Sequence, residues 1–232
     1  MSAAEVQRFL RDPLEYVKCT CMNLQTASGA GTAIQEGAFN ANQAYSTLYC
    51  DLVPWSTSVF SSFATQVMLA PQTAFSPSMI PAYYAPYLAW GTIVSNSQSL
   101  VVTDDIPASN PAHNFIFTGG QNGCSLLLLK GTQPATVRAL HYPNSDGKKA
   151  GYPLLDRIGA TAADILLSID FDLYGEAHNP NACSFFYYDG REWIGVTQPQ
   201  VQGAVNMTWK RCSMSLNGKP KKVSAKAIGV IP

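Results

Sequence analysis

The chain reads as an α+β protein: one domain over residues 1–232, with a mostly antiparallel, β-sandwich-like core flanked by a few α-helices and long loops. Three observations predict this. The sequence holds 17 glycines and 15 prolines, many of them between short apolar runs, which suits strands and loops better than helices. Hydrophobic residues make up 47% and charged ones 13%, ample for a core and too little charge for a disordered face. Two turn signals, Lys130-Gly131-Thr132-Gln133-Pro134 and Asp189-Gly190, separate apolar runs as hairpin turns do.

The elements follow in order. Residues Ala3 to Val17 carry Val6, Phe9, Leu10, Leu14 and Val17 at amphipathic helical spacing; Pro13 lies near the middle, and two short turns are the alternative to one helix. Small and polar residues dominate from Cys19 to Tyr49, so strand and loop are expected there. The cluster within Asp51–Ala70 has an i, i+3, i+4 pattern that predicts a helix from Ser56 to Leu69. Pro71 through Pro86, rich in Pro and Tyr, reads as a long irregular surface segment of the kind that often lines a site.

Strands are then predicted over Leu88–Val94, Ser99–Thr103, Phe115–Phe117, Ser125–Lys130 and Thr136–Tyr142. The last two form a hairpin whose arms are of comparable length. Pro153 to Leu167 has the apolar spacing of an amphipathic helix with a break at Gly159. Further strands are expected over Phe171–Tyr174, Ser184–Tyr188, Glu192–Thr197 and Val205–Ser213, with Lys219-Pro220-Lys221-Lys222 as a solvated turn.

Composition also excludes function classes. Lys+Arg and Asp+Glu both count 15, so net charge gives no support to nucleic-acid or membrane-surface binding. No run approaches the roughly 18 apolar residues that span a bilayer. Met1 to Arg8 mixes charges without an apolar segment, so no Sec-type leader is expected and the protein reads as soluble. Neutral charge and modest size suit a monomer. The six cysteines lack a framework spacing, and Cys19-Thr20-Cys21 has neither a second pair nor a nearby His. Buried reduced thiols are expected, with no metal and no cofactor.

Cys124 stands apart from the other five. It follows Gly119, Gly120 and Gly123, whose flexible backbone is suited to turning N–H groups inward as an oxyanion hole. It sits at a turn-to-strand junction, and the hairpin folds His141 back toward it. A thiol beside an imidazole is a common way to make a thiolate nucleophile. His141 is equally compatible with a hydrogen-bonded strand residue. The other two histidines, His113 and His178, are expected to face solvent.

The stretch Thr118-Gly119-Gly120-Gln121-Asn122-Gly123-Cys124 with His141 resembles the catalytic region of the cytotoxic necrotizing factor and Burkholderia lethal factor family of glutamine deamidase toxins. There a Thr-Gly-x-Leu-Ser-Gly-Cys segment opens a strand and the next strand brings a His onto the thiol. Thr118, Gly119, Gly123 and Cys124 match, Gln121-Asn122 stand in place of Leu-Ser, and the gap to the His is longer here. The likeness is specific over about thirty residues and architectural elsewhere.

The resemblance implies a glutamine deamidase with Cys124 as nucleophile, His141 as base and Thr118 orienting the imidazole through its hydroxyl or its carbonyl; a mere cap on the turn is the other role open to Thr118. It further implies a toxin made in the bacterial cytoplasm, delivered to the host cytosol and acting on a host protein. A cysteine protease or transglutaminase shares the thioester chemistry. A non-enzymatic β-sandwich binding module, with Tyr83, Tyr84, Tyr87 and Trp90 as its contact surface, is the reading from another class.

Overall fold

The computed structural model describes residues 3–23, 43–54, 65–72, 79–88, 93, 100–143, 149–174, 181–202, 209–212 and 221–224. Two sheets organise it. The larger has the order β1-β3-β2-β4-β6-β11-β12-β13, with β14 on β12 and β7 on β11. Its strands are β1 (Thr20–Asn23), β2 (Tyr45–Pro54), β3 (Thr65–Gln72), β4 (Ile80–Ala85), β6 (Phe115–Thr118), β7 (Gln121–Asn122), β11 (Asn181–Tyr188), β12 (Trp193–Gln202), β13 (Trp209–Cys212) and β14 (Lys221–Ser224). The smaller has the order β10-β8-β9-β5, from β5 (Ile106–Pro107), β8 (Ser125–Lys130), β9 (Thr136–Tyr142) and β10 (Ile165–Ile169). The β1–β3 and β4–β6 pairs are parallel and the other ladders antiparallel. The mostly antiparallel α+β core is as the sequence predicts.

Three apolar layers hold the elements together. Val6 and Phe9 of α1 (Ala3–Arg11) and Tyr16 and Val17 of α2 (Pro13–Cys19) pack with Leu48, Leu52, Phe117 and Phe185 on one face of the larger sheet. The Asp12 carboxylate caps α2 by accepting from the Glu15 N–H at 3.0 Å, and Pro13 opens the helix, where its missing N–H costs nothing. Ile116, Phe186 and Trp193 on the other face meet Leu126, Leu128, Val137, Ala139, Leu167 and Ile169 of the smaller sheet. Leu127, Leu129, Leu140 and Tyr142 point the opposite way, onto Leu88, Ile93, Leu154 and Leu155. Alternating residues of β8 thus serve two different cores, which is why that strand is apolar almost throughout.

The sheets approach closely at Gly195, where an added Cβ would lie 3.2 Å from Ile169 and from Phe186. The two ends of the chain are tied by Gln198, whose buried side chain accepts from the Met22 N–H and donates to the carbonyls of Val17 and Thr20.

Several expectations are corrected. The predicted helix over Ser56–Leu69 lies partly outside the described residues, and its Thr65–Leu69 part is strand β3, paired with β2. Its apolar run fills a ladder, and a short run carries too little periodicity to tell the two states apart. Pro71–Pro86 is not irregular throughout: Ile80–Ala85 is a buried strand. The Pro153–Leu167 helix is instead a 3₁₀ turn over Pro153–Ile158, ended by Gly159 at φ 67°, a second over Ala162–Asp164, and strand β10. Phe171–Tyr174 is a short helical turn, and Lys221-Lys222 begin strand β14. Of Leu88–Val94 only Leu88 and Ile93 are described, both buried. Val102 forms an isolated bridge to Leu140 where a strand over Ser99–Thr103 is expected.

The β8–β9 turn is as predicted and has its own lock. Asp105 accepts from the backbone N–H of Thr132 and Gln133, and the Gly131 N–H donates to Thr136 at 2.8 Å. An added Cβ at Gly131 would fall 1.8 Å from Thr136 Oγ1. Gly131→Ala therefore forces the turn apart, and a loss of about 1–3 kcal/mol in urea-unfolding stability is expected.

Candidate functional site

The hairpin register places the candidate residues. Leu126 stands opposite His141 and Ser125 opposite Tyr142. Because side chains alternate, His141 shares the inter-sheet face with Ala139 and Val137, and Cys124, two residues before Leu126, continues the same face. Cys124 is thus the diagonal neighbour of His141, a relation that sets Cα atoms roughly 7–8 Å apart and Cβ atoms closer. Gly123, at φ 79°, supplies the left-handed backbone that turns the chain from β7 into β8.

Thr118 comes from the other sheet. It is two residues beyond Ile116 on β6, so it too faces the space between the sheets. Its hydroxyl lies 2.7 Å from His141 Nδ1, a buried hydrogen bond across the sandwich. The hydroxyl is thus within hydrogen-bond reach of the imidazole. When Nδ1 donates to Thr118 Oγ1, the lone pair of Nε2 is left to take a proton. Nε2 is buried and has no hydrogen-bond partner among the described residues. The Cys124 thiol makes no hydrogen bond to it and donates weakly to the Asn122 carbonyl at 3.8 Å. The structure thus brings Cys124, His141 and Thr118 to one end of the inter-sheet core without joining thiol to imidazole.

Burial dominates the electrostatics. Cys124 is 4% exposed and His141 2%. Loss of solvent pushes the thiol up to about 11, with the Tyr87 side chain acting in the opposite direction. It pushes the imidazole down to about 3. At neutral pH the resting pair is a neutral thiol beside a neutral imidazole.

The residues around Cys124 form a buried hydrogen-bonded cluster. Gln121 is buried and its amide nitrogen donates to the Cys124 carbonyl at 3.2 Å and to the Ile169 carbonyl at 3.5 Å. The Tyr174 hydroxyl donates to the same Cys124 carbonyl at 2.5 Å. Ser125 donates to Asp170 at 2.8 Å, and Tyr152, itself left-handed at φ 55°, donates to that carboxylate too. The backbone at Cys124 is therefore gripped from two sides. Gly119 is buried and Gly120 exposed.

Tyr87 is a residue of the site that sequence reasoning assigns only to a contact surface. Its ring centroid lies 4.7 Å from that of His141. The only sequence signal is its place beside Pro86, at the end of a segment flagged as a possible site lining. Tyr83 and Tyr84 are buried in the core, so they form no contact surface; Trp90 lies outside the described residues. His113 is half-buried rather than solvent-facing, with Nε2 2.9 Å from the Thr47 hydroxyl and its ring against Tyr83. His178 lies outside the described residues.

Cys50, Cys124 and Cys183 are buried and form no disulfide. Among the described residues no group of three or more His, Cys, Asp or Glu could hold a metal ion, and no helix is long and apolar enough to cross a membrane. No protein-family model matches the chain, and no curated protein matches it either.

The depressed imidazole has a thermodynamic consequence. The unfolded chain binds a proton at His141 below about 6.5 that the folded protein refuses down to about 3, so stability falls on acidification through that window. His141→Gln removes this term. Urea unfolding at a series of pH values should show the wild type losing stability faster than the variant between those limits, with equal slopes above pH 7.

Proposed function

We propose that the protein is a cysteine-dependent amidohydrolase that converts a glutamine side chain of another protein to glutamate. The observation that carries this is the placement of Cys124, His141 and Thr118 together at the end of a sealed inter-sheet core. A thiol only 4% exposed between two sheets is reached by a slender, unbranched side chain far more readily than by an extended main chain. That favours a side-chain carboxamide over a peptide bond, and so deamidation over proteolysis. The segment Thr118–Cys124 and its likeness to the deamidase toxins support the same reading. On that likeness the substrate is a protein of a host cell, reached after delivery into its cytosol.

The chemistry follows from the neutral resting pair. A thiol at about 11 beside an imidazole at about 3 does not form an ion pair in advance. The proton therefore moves from sulfur to Nε2 as the sulfur bonds to the carboxamide carbon. Thr118 Oγ1 accepts from Nδ1–H and steadies the imidazolium as it forms, 2.7 Å away. The tetrahedral intermediate expels ammonia, which takes the proton from Nε2, leaving a thioester. Water then gives a proton to Nε2 as it attacks the thioester. The glutamate product departs, and the proton returns to sulfur.

The test uses mass spectrometry of host-cell lysate proteins after incubation with the protein. Gln-to-Glu conversion is expected at defined sites with wild type and not with Cys124→Ala. His141→Asn is expected to lower the rate by about 10²–10⁴-fold. Cleaved peptides would make the protein a protease, amine cross-links a transglutaminase. Identical profiles for wild type and Cys124→Ala would overturn the catalytic reading.

A further inference from the structure

One partly exposed side chain lies against the buried Cys124–His141 pair. Tyr87 is the one large hydrophobic residue among the described residues that stands out in solvent, at 37% exposure, while the thiol and imidazole beneath it are 4% and 2% exposed. Its ring rests on the imidazole, centroid to centroid 4.7 Å at an interplanar angle of 49°. Tyr87 and Cys124 also perturb one another through their side chains: the phenol is raised by burial and by the thiol, and the thiol is held down by the phenol.

One aromatic side chain thus touches both reacting groups while its outer portion reaches water. Its partly exposed ring stands against the buried imidazole, where an incoming side chain would meet it.

We infer that Tyr87 is the access and specificity residue of this site, closed over Cys124 and His141 at rest and displaced by the side chain that enters. This rests on the proposed cysteine chemistry at the same site and extends it to selection of the substrate. The phenol takes the place of the incoming carboxamide, one edge against the imidazole and one polar group beside the sulfur. A substrate must offer an equivalent contact to displace it: an unbranched side chain with a terminal hydrogen-bonding group. Cys124 and Asn122 explain why the site rests closed. The thiol turns to the Asn122 carbonyl and leaves Nε2 without a partner, an arrangement that the entering side chain must reverse.

Thiol alkylation tests this without requiring turnover, so it fails independently of the deamidase reading. The whole protein is treated with a bulky maleimide, and labelling of Cys124, Cys50 and Cys183 is followed by peptide mass spectrometry. Cys50 and Cys183 are fully buried in the other core and report general loosening. An open state that is a minor one, at roughly a tenth of the population or less, implies that Tyr87→Ala speeds Cys124 labelling by about tenfold or more. Cys50 and Cys183 should not change. Tyr87→Phe keeps the ring and should not speed labelling; Tyr87→Trp should slow it. An unchanged Cys124 rate in Tyr87→Ala would overturn the inference. If Cys50 and Cys183 accelerate together with Cys124, Tyr87→Trp decides: slower labelling sustains the gate and equal or faster labelling refutes it.

Discussion

The register of the β8–β9 hairpin is the constraint on which the site depends. Both faces of the smaller sheet are buried, one against the larger sheet and one against Leu154, Leu155 and their neighbours. A slip of one residue would exchange the faces, sending His141 and Cys124 outward and Leu127 and Leu140 into the inter-sheet space. The packing of two cores therefore enforces the relation of thiol to imidazole. The Asp105 clamp on the turn holds the same register from the far end of the hairpin, well away from the chemistry.

Placing the pair inside the sandwich has an electrostatic consequence. Desolvation separates the proton affinities of sulfur and imidazole in the direction that keeps both neutral. No charge is stored there at rest, so fixed dipoles set the local electrostatics. Thr118 supplies one such dipole from the opposite sheet. The hydrogen bonds of Gln121 and Tyr174 to the Cys124 carbonyl, with Ser125 and Tyr152 on Asp170, hold the backbone at Cys124 in place. Buried polar groups of this kind are costly unless paired, so their density behind Cys124 marks the region as specialised.

What the sequence discloses is what local chemistry decides. The Gly-bearing turns, the even arms of the hairpin and the apolar run of β8 are short-range signals, and each is found in the structure. Pro13 likewise divides α1 from α2 as its missing N–H requires. The failures lie where neighbours distant in the chain choose between states. Thr65–Leu69 becomes strand because β2 offers it a ladder, and Ile165–Leu167 because β8 does. Cys124 and His141 are legible because one hairpin joins them. The Thr118 hydroxyl bond needs two sheets, and the seat of Tyr87 over the imidazole depends on β4 lying beside β6.

Gln198 has a consequence in time as well as in space. Its side chain joins β12 to the Val17, Thr20 and Met22 backbone, groups that leave the ribosome long before it does. The parallel β4–β6 pair likewise closes only after a long crossover has been made. Non-local pairing of this kind folds slowly, since loop-closure entropy must be met before the contacts reward it. The hairpin that carries Cys124 is local, yet the wall that carries Thr118 is not. The strands β11 and β12, which complete the sheet opposite the hairpin, follow it in the chain, so the thiol exists for an interval beneath an unfinished wall. Its full burial is among the last features of the chain to be completed.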